Sequence, residues 1–140
     1  MTMISLTAAD GHRLTAYRAG PQNATRALVV VQEIFGVNHH MRNVCESFAA
    51  EGYAVIAPAL FDRVGRGIEL GYEAADVAQG RELRGKIDDG QTVLDILAAA
   101  AALPAGVKRG IVGYCWGGTI AWFGATRTSA FSAACGWYGG

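Results

Sequence analysis

The chain has 140 residues, 51% hydrophobic and 17% charged, with 12 basic and 12 acidic side chains balancing to a formal net charge of zero. That length and composition describe one globular, core-forming domain. The balanced charge offers no footprint for nucleic acid or an anionic membrane surface, so no nucleic-acid partner is expected. No basic stretch followed by an apolar core opens the chain, and the longest apolar run, residues 96–103, is too short and too alanine-rich to span a bilayer. The expectation is a cytoplasmic protein with no membrane partner.

Residues 4–7 and 14–18 flank Asp10-Gly11, a pair that predicts a two-residue hairpin turn. Residues 20–26 are polar and read as a loop. Residues 27–32 form a Leu/Val run, the mark of a strand buried on both faces. Asn38 suits the N-cap of a helix ending near Glu51, with Gly52 as its stop. A second buried strand, 53–57, is closed by Pro58. Residues 60–72 hold three glycines and mixed charges and read as a long surface connection. From Glu73 the pattern is helical but interrupted by Gly80, Gly85 and Gly90, which predicts two or more pieces, the last buried along Val93, Ile96, Leu97 and Ala100. A short strand, a glycine-flanked turn, an apolar helix and a strand over 131–138 complete the chain. A hairpin followed by alternating strands and helices implies an α/β fold with a mostly parallel sheet, whose chemistry lies beyond the C-terminal ends of the strands.

The most informative segment is Gly113-Tyr114-Cys115-Trp116-Gly117-Gly118. Strand, sharp turn and helix in this order form a nucleophile elbow, with cysteine in the usual serine position. Side chains two positions either side of the nucleophile would collide with so tight a turn, hence Gly113 and Gly117. Gly118 lets the helix approach the strands. A helix N-terminus favours negative charge and so favours the thiolate, the reactive form of cysteine. The N–H of Trp116 would supply half of an oxyanion hole, and the N–H of Ile34, on the loop after the first buried strand, the other half. The G-x-x-x-x-G spacing of Gly113 and Gly118 is not a phosphate loop, because Thr119 occupies the lysine position, and the G-x-G-x-x-G pattern is absent. No nucleotide cofactor is expected.

Three cysteines without C-x-x-C spacing argue against a disulfide framework or a zinc site. Cys45 shares a helical stripe with Met41, Val44 and Phe48, and Cys135 alternates with Ala133 and Trp137 along a strand. Only Cys115 lies where reactivity is expected. Glu33 closes an apolar strand, either as an exposed rim residue or as a carboxylate that meets the thiol. His12 falls in the hairpin turn, and His39 and His40 start a helix, where solvated side chains are the ordinary case.

The segments Q-E-I-F-G-V-N at 32–38, Met41-Arg42, E-G-Y-A-V-I-A-P-A-L-F at 51–61, G-Y-C-W-G-G at 113–118 and W-Y-G-G at 137–140 closely resemble the dienelactone hydrolase family of α/β-hydrolases. The resemblance runs in register from about Ala27 to Gly140. It implies hydrolysis of a small-molecule lactone or ester by a Cys-His-Asp triad, through a thioester and without metal or cofactor. Cys115 corresponds to the nucleophile and Glu33 to the glutamate that pairs with it. Ile34 and Trp116 correspond to the oxyanion donors. Phe35 and Arg81 are candidates for substrate binding, the family using an arginine from the helical region before the elbow, although neither Arg81 nor Arg84 falls on that position.

In this fold the triad acid and histidine follow the nucleophile, whereas the sequence stops at Gly140. The expectation is an N-terminal portion of a longer hydrolase, unstable or inactive alone, with an unpaired edge on its last strand. Two alternatives stay open on the same residues: a redox-sensing thiol protein on a degenerate hydrolase fold, and a structural or partner-binding remnant.

Overall fold

The computed structural model describes residues 2–140. Six strands form one sheet: β1 (Thr2–Thr7), β2 (Arg13–Ala19), β3 (Arg26–Val31), β4 (Ala54–Pro58), β5 (Lys108–Tyr114) and β6 (Ala133–Trp137). Their order is β1-β2-β4-β3-β5-β6. The hairpin β1-β2 and the pair β2-β4 are antiparallel, and β4, β3, β5 and β6 run parallel. The helices are α1 (His39–Ala50), α2 (Ala74–Gly85), α3 (Asp89–Ala101) and α4 (Trp116–Arg127). The α/β-hydrolase expectation for the architecture is met.

Alternation along the central strands divides the core. Val29, Val31, Ile56 and Ile111 face one layer with Ile96 and Ile120, from α3 and α4. Val30, Val55 and Val112 face the other, with Met41 and Cys45 of α1. Strands buried on both faces need side chains of both parities to be apolar, which is why residues 27–31 read as an unbroken hydrophobic run. Asn38 caps α1 as expected, its side chain accepting from the Met41 N–H at 3.1 Å.

Four local expectations are corrected. The hairpin loop has three residues, 9–11, between Ala8 and His12, with Gly11 N–H donating to Ala8 O at 2.9 Å. The segment 60–72 is not wholly at the surface: a 3-10 turn, Leu60–Arg63, buries Leu60 and Phe61 in the core. The helical stretch is in two pieces as expected, with the break at residues 86–88 directly after Gly85, but Gly80 and Gly90 do not interrupt it. Gly80 lies inside α2, where a Cβ would strike the carbonyl of Ile34, so that glycine brings α2 against the loop after β3. The buried stripe of α3 is Thr92, Asp95, Ile96, Ala99 and Ala100. It is rotated from the expected one because Asp95 faces inward to meet a charge.

That charge is Arg63. Its guanidinium bonds Asp95 at 2.8 and 3.1 Å and Asp10 at 2.6 and 3.2 Å, tying the hairpin, the 3-10 turn and α3 together. The Asp95 side chain is fully buried, and burial pushes its carboxyl up while Arg63 pulls it back. Desolvation of this kind makes a buried pair costly to break and of little net gain to keep. We expect Arg63→Met to lower unfolding stability by about 3 kcal/mol in urea titration. The double variant Arg63→Met/Asp95→Leu should recover part of that loss.

Candidate active site

One rung of the parallel sheet sets the geometry. Val31 of β3 pairs with Gly113 of β5, and Gly113 pairs with Gly136 of β6. Two residues beyond that rung, on three adjacent strands, stand Glu33, Cys115 and Tyr138. The sheet therefore delivers a carboxylate, a thiol and a phenol to one edge.

Cys115 has φ 57° and ψ −123°, and Tyr138 has φ 39°; these are the non-glycine residues with positive φ among the described residues. Such backbone is strained for an L-residue and persists only where its surroundings hold it. At Cys115 the surroundings are visible. Its N–H donates to Trp137 O at 2.9 Å, and its carbonyl accepts from Gly118 N–H at 2.8 Å. A Cβ on Gly113 would overlap the Gly117 carbonyl, and one on Gly117 the carbonyls of Val31 and Gln32. The absence of both side chains lets the first turn of α4 sit directly against the end of β3.

Cys115 is half-buried at the N-terminus of α4, whereas Cys45 is buried and Cys135 exposed. Burial pushes the Cys45 thiol up to about 12, which leaves it inert. The N–H groups of Ile34 and Trp116 donate to no protein acceptor among the described residues, although both residues are buried. Trp116 is fixed by stacking on Phe61, ring centroids 5.6 Å apart. Donors left unspent at a strand end and a helix N-terminus are free to bind an anionic group.

Glu33 is only 9% exposed. Its carboxylate accepts from Tyr138 Oη at 2.9 Å on Oε2 and from Tyr72 Oη at 3.5 Å on Oε1. The reading of Glu33 as an exposed rim residue is thereby excluded. Its recorded partners are phenols, and the expected contact with the thiol is not among them. Partial burial, then the hydrogen bond and charge of Glu33, push Tyr138 up to about 12. Burial likewise raises Tyr72.

The sequence profile of the dienelactone hydrolase family matches residues 14–140. The chain belongs to this family. A Yersinia pestis protein named "Putative carboxymethylenebutenolidase" is 38% identical over 141 residues, covering 93% of this chain and 50% of its own length. A Synechocystis protein of the same name is 39% identical over 113 residues, covering 76% of this chain and 46% of its own length. Among solved structures, one described as a "Putative Dienelactone Hydrolase" from Klebsiella pneumoniae is 33% identical with a TM-score of 0.77, covering 99% of this chain and 61% of that one. The chain thus spans about half the length of the curated relatives it matches.

Other residues singled out in this dienelactone hydrolase family member fall variously. Phe35 is buried edge-on against Tyr72, centroids 4.6 Å apart, so it supports the site wall. Arg81 is exposed on α2, while Arg84, one turn on, donates to Gly140 O at 3.0 Å. His39 and His40 are exposed at the start of α1. β6 is exposed along its length and pairs with β5 alone among the described residues. No group of three or more metal-ligating side chains occurs among the described residues, and no helix there is long and apolar enough to cross a membrane.

Tyr72 and Tyr138 were not singled out from sequence as site residues. Only the strand-end position of Tyr138 could have signalled one of them.

The Glu33–Tyr138 bond has a spectroscopic consequence. The folded Tyr138 value lies above the ordinary value of about 10. The bond's stabilising contribution is therefore intact below pH 10 and is lost as pH rises toward 12. In ultraviolet-difference titration, Glu33→Gln should lower the ionisation pH of Tyr138, because the carboxylate's contribution goes while partial burial stays. An unchanged titration would contradict the contact.

Proposed function

We propose that this chain carries the nucleophilic part of a lactone or ester hydrolase site, acting by acyl transfer through Cys115. The reading rests on the backbone of Cys115: a φ of 57° at the N-cap of a twelve-residue helix, between two glycines that no side chain could replace. The Cys115 sulfur attacks the carbonyl carbon. The Ile34 and Trp116 N–H groups receive the carbonyl oxygen as it gains charge; removing one such donor typically costs about 3 kcal/mol of transition-state stabilisation. Collapse expels the alkoxide or enolate and leaves a thioester, which water then cleaves to acid and free thiol. No metal or organic cofactor enters this scheme.

Cleavage of the thioester needs a base to activate water. His12 lies in the hairpin, His39 Nε2 contacts Asn43 at 3.2 Å, and the His40 ring faces Tyr72. None hydrogen-bonds Cys115 among the described residues.

With p-nitrophenyl acetate the chain should release a burst of p-nitrophenol of about one equivalent as the thioester forms. Intact-mass and peptide analysis should find one acetyl group on Cys115, and Cys115→Ala should abolish burst and adduct together. A burst that survives Cys115→Ala would overturn the proposal. Sulfenic acid on oxidation without any acylation would favour the redox-thiol reading.

A further inference from the structure

Gln32 is a polar residue in an apolar place. It directly follows the Leu/Val run of β3 and is 0% exposed. A buried amide is kept where both of its ends find partners. Here Oε1 accepts from the Leu60 N–H at 3.0 Å, and Nε2 donates to the Glu33 carbonyl at 3.0 Å. These partners admit one orientation of the amide, since a backbone N–H needs its oxygen and a carbonyl needs its NH2 group.

The bond to Glu33 acts on the peptide group that carries the Ile34 N–H. The Glu33 carbonyl and the Ile34 N–H belong to one planar, trans unit, so they point in opposite directions. Holding the carbonyl therefore aims the N–H. Among the described residues no backbone donor reaches the Glu33 carbonyl, and the Ile34 N–H has no protein acceptor. The Gln32 amide is the hydrogen bond that sets this peptide plane. A donor on the carbonyl also polarises the peptide and strengthens its N–H as a donor in turn.

The same brace reaches the second donor. Leu60, at the far end of the amide, begins the 3-10 turn whose next residue, Phe61, stacks on Trp116. The main chain of Gln32 also meets the first turn of α4, because a Cβ on Gly117 would lie 2.4 Å from the Gln32 carbonyl oxygen. The loop after β3, the 3-10 turn and the elbow thus converge on this one residue.

We propose that Gln32 is a positioning residue for the oxyanion hole. Its side chain, anchored on Leu60, turns the Glu33–Ile34 peptide so that the Ile34 N–H is held ready for the carbonyl oxygen of the substrate. The inference deepens the reading of Cys115 as nucleophile and rests on it. It gives Gln32 no part in forming the thiolate, and the test uses that separation.

Two rates are measured on Cys115. Acylation by p-nitrophenyl acetate passes through an oxyanion and expels p-nitrophenolate. Alkylation by iodoacetamide expels iodide and forms no oxyanion. The ratio of the two rates cancels the thiolate fraction, and peptide mass spectrometry scores Cys115 apart from Cys45 and Cys135. At pH 5, Gln32→Met should lower the ratio about tenfold, short of the hundredfold or more that follows complete loss of a donor. Gln32→Glu should restore it at that pH, because burial keeps the introduced carboxyl protonated, able to accept from Leu60 and donate to Glu33. Towards pH 9 the Gln32→Glu ratio should fall below that of the unmodified chain, as the carboxyl ionises and its donor is lost.

An unchanged ratio in Gln32→Met, or a Gln32→Glu ratio at pH 5 no higher than that of Gln32→Met, would overturn the proposal and leave the nucleophile reading intact. If Gln32→Met does not fold, a Gln32→Glu ratio that follows the unmodified chain from pH 5 to pH 9 overturns it equally. An unmodified chain that is alkylated but never acylated at Cys115 would overturn both readings.

Discussion

The site depends on the registration of three parallel strand ends. Val31, Gly113 and Gly136 lie on one rung, and the chain leaves the sheet at the same height in three adjacent places. A slip of one residue in a strand turns every side chain to the opposite face. Here it would part Glu33 from Tyr138. The register is protected from both sides of the sheet, since Val29 and Val31 face one buried layer and Val30 the other. Core packing and site geometry are thus the same constraint.

The close approach of backbones converts that register into chemistry. Gly117 sits against the carbonyls of Val31 and Gln32, and a Cβ on Gly118 would come within 2.8 Å of Trp137 O. The elbow is therefore clamped between β3 and β6. The Trp137 carbonyl also receives the Cys115 N–H, which holds Cys115 in a backbone conformation it would not adopt freely. The same stretch of β6 leads into Tyr138, whose hydroxyl donates to Glu33. This links a half-buried thiol, a buried carboxylate and an exposed phenol into one mechanical unit. The Arg63 cluster, at the hairpin and 3-10 turn, ties the hairpin to the segment carrying Phe61, which in turn stacks on Trp116.

Much of this was legible in the sequence because it follows from local steric rules. The spacing Gly113, Cys115, Gly117 encodes the elbow, the Leu/Val run encodes a doubly buried strand, and Asn38 encodes a helix start. The misreadings came from long-range partners. The expected stripe of α3 left out Asp95, which Arg63, 32 positions away, draws inward. Phe61 lay in a glycine-rich stretch whose polar composition masked a buried turn. Gly80 read as a helix breaker, yet it is the point where α2 meets the Ile34 carbonyl. Glu33 was recognisable as an oddity, but its partners Tyr72 and Tyr138 lie 39 and 105 residues away. No local periodicity reports a pairing at that separation.

The account turns on the Ile34 and Trp116 N–H groups facing an acyl group carried by the Cys115 sulfur. The isotope-edited infrared spectrum of acetylated Cys115 measures this directly, through the stretching frequency of the thioester carbonyl. The account predicts a frequency lowered from that of a free thioester in water, because two fixed N–H groups polarise the bond. A carbonyl that absorbs where the solvated thioester does would contradict it.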